Sequence, residues 1–173
     1  MTPLAWTEVA LAREHDRATF DCGDGDLNIY LQRYARQNHE SGGAKCFVAV
    51  AVKAPTRVLG FYTLSPASVE YARTPAIVKK GLARYDMPVF RLGRLAVDRS
   101  VQGRGFGAAL LLCAGERCIR VASEVGGVAL LIDAKNERVA QWYASRGALP
   151  LFDAPLSLTL PLSTVADALK RGA

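Results

Sequence analysis

The stretch from Pro88 to Asp133 limits the possible folds of this 173-residue chain more than any other. It reads PVFRLGRLAV, then the glycine cluster QGRGFGA, then an apolar run, then GVALLID. An alternating segment, a glycine break, a helical period and a short apolar run describe a strand–turn–helix–strand unit. Neighbouring strands joined through a helix lie parallel. Upstream, KCFVAVAV and RVLGFYTLSPASVEY are separated by a short turn containing Pro55, and pair as an antiparallel hairpin. A sheet that holds both units is mixed, so the fold class is α/β of the α+β kind, not an all-parallel doubly wound sheet.

The remaining segments fit around that frame. Residues 4–10 form an opening strand, and from Asp24 the residues Leu27, Tyr30, Leu31 and Tyr34 fall on one side of a helix capped by Asp24 or Asp26. Residues 72–88 make a connection with a short helix, and a long helix runs from about Gly105 to Glu124. KNERVAQWYASRG is a helix with Gly147 at its C′ position; ALPLF and LSLTLPL are closing strands; STVADALKR is a terminal helix with Ser163 as cap. The order is β-α-β-β-(α)-β-α-β-α-β-β-α. Without repeats, linkers or a composition break, residues 1–173 are expected to form one domain.

Charge and cysteine usage narrow the class of partner. A formal net charge of +6, spread along the chain, suits a phosphate-rich partner met on a folded face. No apolar run approaches the ~18 residues of a membrane span. The N-terminus lacks a basic-then-apolar leader, so a cytoplasmic location is expected. Cys22, Cys46, Cys113 and Cys118 have no metal-ligand spacing, and His15 and His39 stand alone. The expectation is no metal, and thiols held in a reducing compartment.

The glycine cluster has several formal matches. Residues 103–108 satisfy G-x-G-x-x-[GA], the dinucleotide fingerprint, but only 40 residues follow Asp133, too few for the remaining crossovers of such a fold. A Walker loop would close on G-K-[ST], where this chain has Gly107-Ala108-Ala109. What remains is a short anion-binding turn at a helix N-terminus. There Gln102, Arg104 and the amides of Gly103, Arg104, Gly105, Phe106, Gly107 and Ala108 face a pyrophosphate, with the helix dipole behind them.

At this point RLAVDRSVQGRGFGAALL resembles the acetyl-CoA motif of the GNAT superfamily of N-acetyltransferases, [QR]-x-x-G-x-[GA], with Gln102, Gly105 and Gly107 in its places. The resemblance spans nearly the whole chain in element order. It implies the GNAT fold: a mixed, mostly antiparallel sheet splayed at its central strands, with helices on both faces. It implies acetyl-CoA as cofactor, with the pantetheine arm along Leu95, Ala96 and Val97 in a gap facing Leu130 to Ile132. It makes Asn136 a cofactor contact and Tyr143 the acid that protonates the departing thiolate. A phenol of pKa about 10 is able to do this; the alternative for Tyr143 is packing beside Trp142.

FDCGDGDLNIYLQRYARQ narrows the resemblance further. With Phe20, Cys22, Gly23, Leu27, Asn28, Tyr30 and Leu31 it is similar to the signature opening one GNAT branch, and PVFRLGRLAVD matches that branch's central strand. The branch comprises bacterial type II toxins that acetylate the amino group of aminoacyl-tRNA and halt translation. A ribbon-helix-helix antitoxin and a homodimer are implied with it. The chemistry agrees independently, because Pro88–Val97 contains no Asp or Glu to serve as base. A lysine ε-amine needs one; an α-amine of pKa about 7.7–8.0 has a neutral fraction already. Glu70 or Asp98 could still reach the site. Arg33, Arg36, Lys45, Lys79, Lys80 and Arg91, with Arg73, Arg84 and Arg94 nearby in sequence, are candidate tRNA contacts. Two alternatives stay open: a GNAT enzyme for a small amine or protein N-terminus, and an idle acyl-CoA-binding module.

Overall fold

A computed structural model describes residues 3–172. Seven strands, β1 (Trp6–Ala10), β2 (Lys45–Ala51), β3 (Ala54–Val69), β4 (Met87–Val97), β5 (Ala129–Asp133), β6 (Leu149–Leu151) and β7 (Ala154–Pro161), form one sheet in the order β1-β2-β3-β4-β5-β7-β6. The pairs β1/β2, β2/β3, β5/β7 and β6/β7 are antiparallel and β4/β5 is parallel, so the sheet is mixed and mostly antiparallel, as expected. Ala51 pairs with Ala54, leaving Val52 and Lys53 as the hairpin turn. Pro55 therefore lies at the start of β3 instead of in the turn, where a missing N–H is tolerated. The chain separates into two compact units.

The first unit comprises residues up to Ser65 together with Arg94–Cys113. Cys46, Val48 and Val50 of β2 share a buried cluster with Val58 and Phe61 of β3 and Ala96 of β4. The register skips Leu59 between Ala49–Gly60 and Val50–Val58, and this bulge puts Val58 and Phe61 on one face although they are three residues apart. That face is covered by α1 (Gly25–Ile29), a π-helical turn (Tyr30–Tyr34) and α2 (Ala35–Ser41). Phe61 meets Phe20 edge-on at 5.5 Å and stacks with Tyr30 at 6.4 Å. On the other face a Cβ on Gly60 would lie 2.8 Å from Leu110 of α4 (Phe106–Val125), so helices cover both sides.

The π turn corrects the expected helix stripe. One extra residue rotates the chain, so Tyr34 is 52% exposed and Ala35 is fully buried in its place. Tyr30 anchors the turn: its hydroxyl accepts from Asn38 Nδ2 at 3.2 Å, and the Arg94 guanidinium lies 3.6 Å from its ring centroid. Asp24 is the cap; its carboxylate accepts from the amides of Asp26 and Leu27.

The second unit comprises Pro66–Gly93 and residues from Ala114 on. Val69, α3 (Ala76–Lys79) through Val78, Met87, Val89, Ala129, Leu131 and Leu151 form its apolar cluster. In this unit β4 pairs with β5 from Val89–Ala129 to Leu92–Ile132. Leu130 to Ile132, expected beside a gap, are therefore paired residues; the pairing stops after Leu92, not alongside them. Helix α5 (Glu137–Ala144) ends in a Schellman arrangement, with Ala148 N–H donating to Tyr143 O and Gly147 N–H to Ala144 O. Gly147 takes its expected C′ place. Helix α6 (Leu162–Gly172) begins one residue before Ser163, which sits in the first turn and not at the cap. No helix among the described residues is long and apolar enough to cross a membrane.

Candidate active site

In the first unit, β4 ends at Val97 and a 3-10 turn (Arg99–Val101) leads to the glycine cluster. Gln102, Gly103, Arg104 and Gly105 are exposed, whereas Phe106 is buried against Trp6 at 5.2 Å between ring centroids. Phe106 thus pins the start of α4 and leaves the residues before it free to face outward. Gly103 and Gly105 take φ of +77° and +82°, and a Cβ built on either meets nothing within 4 Å. This is left-handed backbone with open space over it, where an L side chain would be strained and would intrude. Ala109 N–H makes an i→i−4 bond to Gly105 O, so the amides just before it have no partner inside the helix. Together with the dipole of a 20-residue helix, they suit an anion.

Gln102 differs from its expected role. Its Nε2 donates to Cys22 O and to Val97 O, both at 2.9 Å, so the side-chain amide points back into the protein and braces the turn. Arg104 is exposed at the turn. Ala96 is buried in the core, while Leu95 and Val97 are half-buried on either side of it. Asp98, one of the two candidate bases, is committed elsewhere. Its carboxylate accepts from Asp21 N at 3.0 Å and from Ser100 N and Oγ at 3.0 and 2.6 Å. Burial pushes its pKa up, but these hydrogen bonds outweigh burial and hold it below the ordinary value, which makes it a poor base.

In the second unit, Asn136 caps α5 by accepting from Val139 N–H at 3.0 Å. Tyr143 is 7% exposed, with Trp142 edge-on at 4.9 Å. Burial alone pushes its pKa up to about 12, and no hydrogen bond to its hydroxyl is found among the described residues. It is a neutral phenol throughout the physiological range, with a proton to give. Glu70 is exposed just ahead of a 3-10 turn (Tyr71–Arg73). An open groove of about 500 Å³ in this unit is lined by Glu137, Ala140, Gln141, Ala144, Pro150, Pro155, Leu156 and Leu158; none of the expected cofactor residues lines it.

The basic residues divide by what holds them. Arg36 pairs with Glu40 at 2.9 Å, Lys45 donates to His39 O at 2.9 Å, and Lys79 lies over the Tyr71 ring at 4.3 Å. Arg91 pairs with Asp133, and Arg73 with Asp153 at 2.8 Å. Arg33, Lys80 and Arg84 are exposed without an ion pair among the described residues, so they offer charge at the least cost. Arg94 is the structural exception, stacked on Tyr30. The sequence reading did not single out Asp21, Arg99 or Trp6, which surround the turn. Their partners are distant in sequence, and no local pattern announces them.

No family model matches the chain. It is 38% identical over 147 residues to a tRNA-acetylating toxin of Mycobacterium tuberculosis, covering 85% of this chain and 82% of the relative. It is also similar to the solved structure of AtaT complexed with acetyl-methionyl-tRNAfMet, with a TM-score of 0.87, 29% identity, and 95% and 99% of the two chains covered. A structure of an AtaT mutant toxin bound to the C-terminus of the antitoxin AtaR and acetyl-CoA matches with a TM-score of 0.81 and 28% identity, covering 95% and 98%.

Proposed function

Since the chain belongs to the tRNA-acetylating toxins, acetyltransferases of the GNAT fold, we propose that it moves the acetyl group of acetyl-CoA to the α-amino group of an aminoacyl-tRNA and so blocks translation. The observation that carries the cofactor half is the Gly103–Gly105 turn, open to solvent and left-handed at the head of α4. Acetyl-CoA supplies an activated thioester: the C–N bond to the acceptor forms as the C–S bond breaks. The amides of Gly103–Ala108 and the Arg104 guanidinium receive the pyrophosphate. Gln102 shapes the turn through its bonds to Cys22 and Val97. The backbone of Leu95, Ala96 and Val97 takes the pantetheine arm, with Asn136 as a further contact.

Tyr143 donates the proton that the departing sulfur needs. Its buried phenol holds that proton at neutral pH, and the apolar surroundings that raise its pKa would equally raise the basicity of a thiolate. No carboxylate base is required of the chain. The acceptor α-amine, of pKa about 7.7–8.0 before esterification lowers it, is already partly neutral. Attack is direct, without an acyl-enzyme. Arg33 and Lys80, the unpaired members of the basic set, are the first candidates for phosphate contact, and Arg36, Lys45, Lys79 and Arg91 follow because each must loosen an internal contact.

The reading extends to a cytoplasmic location, a single catalytic domain, a homodimer, and neutralisation by a ribbon-helix-helix antitoxin. Gly105→Asp tests the cofactor placement by calorimetric titration with acetyl-CoA. It sets a carboxylate in the open space where the pyrophosphate sits, so binding is lost. Undiminished affinity would refute the placement.

A further inference from the structure

The segment Asp21–Asn28 is bonded to the anion turn at several points. Cys22 O accepts from Gln102 Nε2 at 2.9 Å. Asp21 N donates to the Asp98 carboxylate at 3.0 Å, and Asp21 O accepts from Arg99 N at 2.8 Å. The Arg99 guanidinium lies 3.6 Å from the Asp21 carboxylate. The segment is held in turn by one side chain: Asn28 Oδ1 accepts from Cys22 N at 2.9 Å while its Nδ2 donates to Asp21 Oδ1 at 2.9 Å. That same Asp21 oxygen accepts from Gly23 N at 2.9 Å. Most of these bonds are exposed and individually weak. They form closed rings, however, so the turn shifts only if several break together.

We propose that Asn28 and Asp21 are positioning residues for the cofactor turn, setting affinity for acetyl-CoA and not for the amine acceptor. This rests on the reading that the turn at 102–108 receives the pyrophosphate. Helix-terminal amides serve an anion only when held to within about 0.5 Å of the productive geometry. The exposed residues Gln102–Gly105 gain that precision from the strap at Asp21–Asn28. The DCGDGDLN signature accordingly shapes the donor site, although its sequence resemblance is to a branch defined by its acceptor.

Asn28→Asp is the probing change. It keeps the shape and the bond from Cys22 N, but sets a carboxylate against that of Asp21, with Arg99 the cation beside the pair and Asp98 adding further negative charge. The expected result is a rise of about tenfold in KM for acetyl-CoA, the size of one lost and repelled hydrogen bond, with KM for charged tRNA and kcat at saturation unchanged. The reciprocal variant Asp21→Asn with Asn28→Asp removes the repulsion and restores a donor–acceptor pair of opposite polarity, at the cost of the bond from Gly23 N–H, so it brings KM only part of the way back, to about threefold above wild type. A change that merely loosened the fold would not be rescued by the exchange. Should Asn28→Asp unfold, Asn28→Ser, which loses the bond to Asp21 without repulsion, carries the same test. An unchanged acetyl-CoA KM in a folded Asn28 variant, beside a Gly105→Asp protein that binds none, overturns the proposal alone. A Gly105→Asp protein that still binds acetyl-CoA normally removes the cofactor placement, and the proposal with it.

Discussion

Gly60 in β3 is the position where a single methyl group bears most directly on β4, the strand proposed to hold the cofactor. A Cβ there would lie 2.8 Å from Leu110 Cδ1 and 2.9 Å from the carbonyl oxygen of Ala96. Leu110 has a rotatable terminus and can yield. The Ala96 carbonyl cannot, because it is main chain and the Asp98 N–H to Leu59 O bond at 2.8 Å holds the adjoining backbone. Overpacking of this kind costs ~1–3 kcal/mol, while Ala is favoured over Gly in a strand by ~0.5–1 kcal/mol. Gly60→Ala should therefore lose about 1–2 kcal/mol net. For a chain of this length that lowers Tm by about 2–8 °C, at ~2–4 °C per kcal/mol. The displaced oxygen belongs to the strand proposed to take pantetheine, so KM for acetyl-CoA should rise with it. Scanning calorimetry of the cofactor-free protein gives the first number and steady-state kinetics the second. Gly25→Ala is the control, since a Cβ there meets nothing within 4 Å. If Gly60→Ala melts at or above the wild-type temperature, the close approach is not a constraint and the reasoning fails.

Tyr143→Phe should lower kcat by ~10²-fold or more yet leave Tm unchanged, because no hydrogen bond to the hydroxyl is lost among the described residues; a variant at wild-type rate would take Tyr143 out of the mechanism. Burial raises the pKa of Cys46 and Cys118 from 9.0 to about 12, so both favour the folded state below pH 9 and that stability is lost as pH rises toward 12. Cys46→Ala should flatten the decline in urea midpoint between pH 9 and 11 relative to wild type; an equal slope would count against it. A Cβ on Gly115 would sit 2.5 Å from Val165 Cγ1, so Gly115→Ala should destabilise despite its helix preference of ~1 kcal/mol. Adding Val165→Ala should recover part of the loss, and strictly additive effects would show that the two residues do not meet.

The order of elements could be read from the chain because it depends on local regularities. These were the switch of apolar period from two to 3.6, the breaks at Gly42-Gly43 and Gly147, and the glycine turn itself. What escaped reading depends on contacts distant in sequence. Tyr34 fitted the stripe with Leu27, Tyr30 and Leu31, but the π turn that expels it is anchored by Arg94 and Asn38. Gln102 was legible as a motif position. That its amide turns back to Cys22, 80 residues away, was not. Among the cations, Arg36, Lys45, Lys79 and Arg91 read the same as Arg33 and Lys80 until their partners are in place. Pro55 and Ser163 missed by one or two positions, the usual uncertainty at element ends.

The most direct test of the central claim is transfer of labelled acetyl from acetyl-CoA in the presence of a panel of charged tRNAs, free lysine and polyamines. Label is expected on the α-amino group of at least one aminoacyl-tRNA, recoverable as an N-acetyl amino acid after mild base. Label on the free amines with none on tRNA would contradict it.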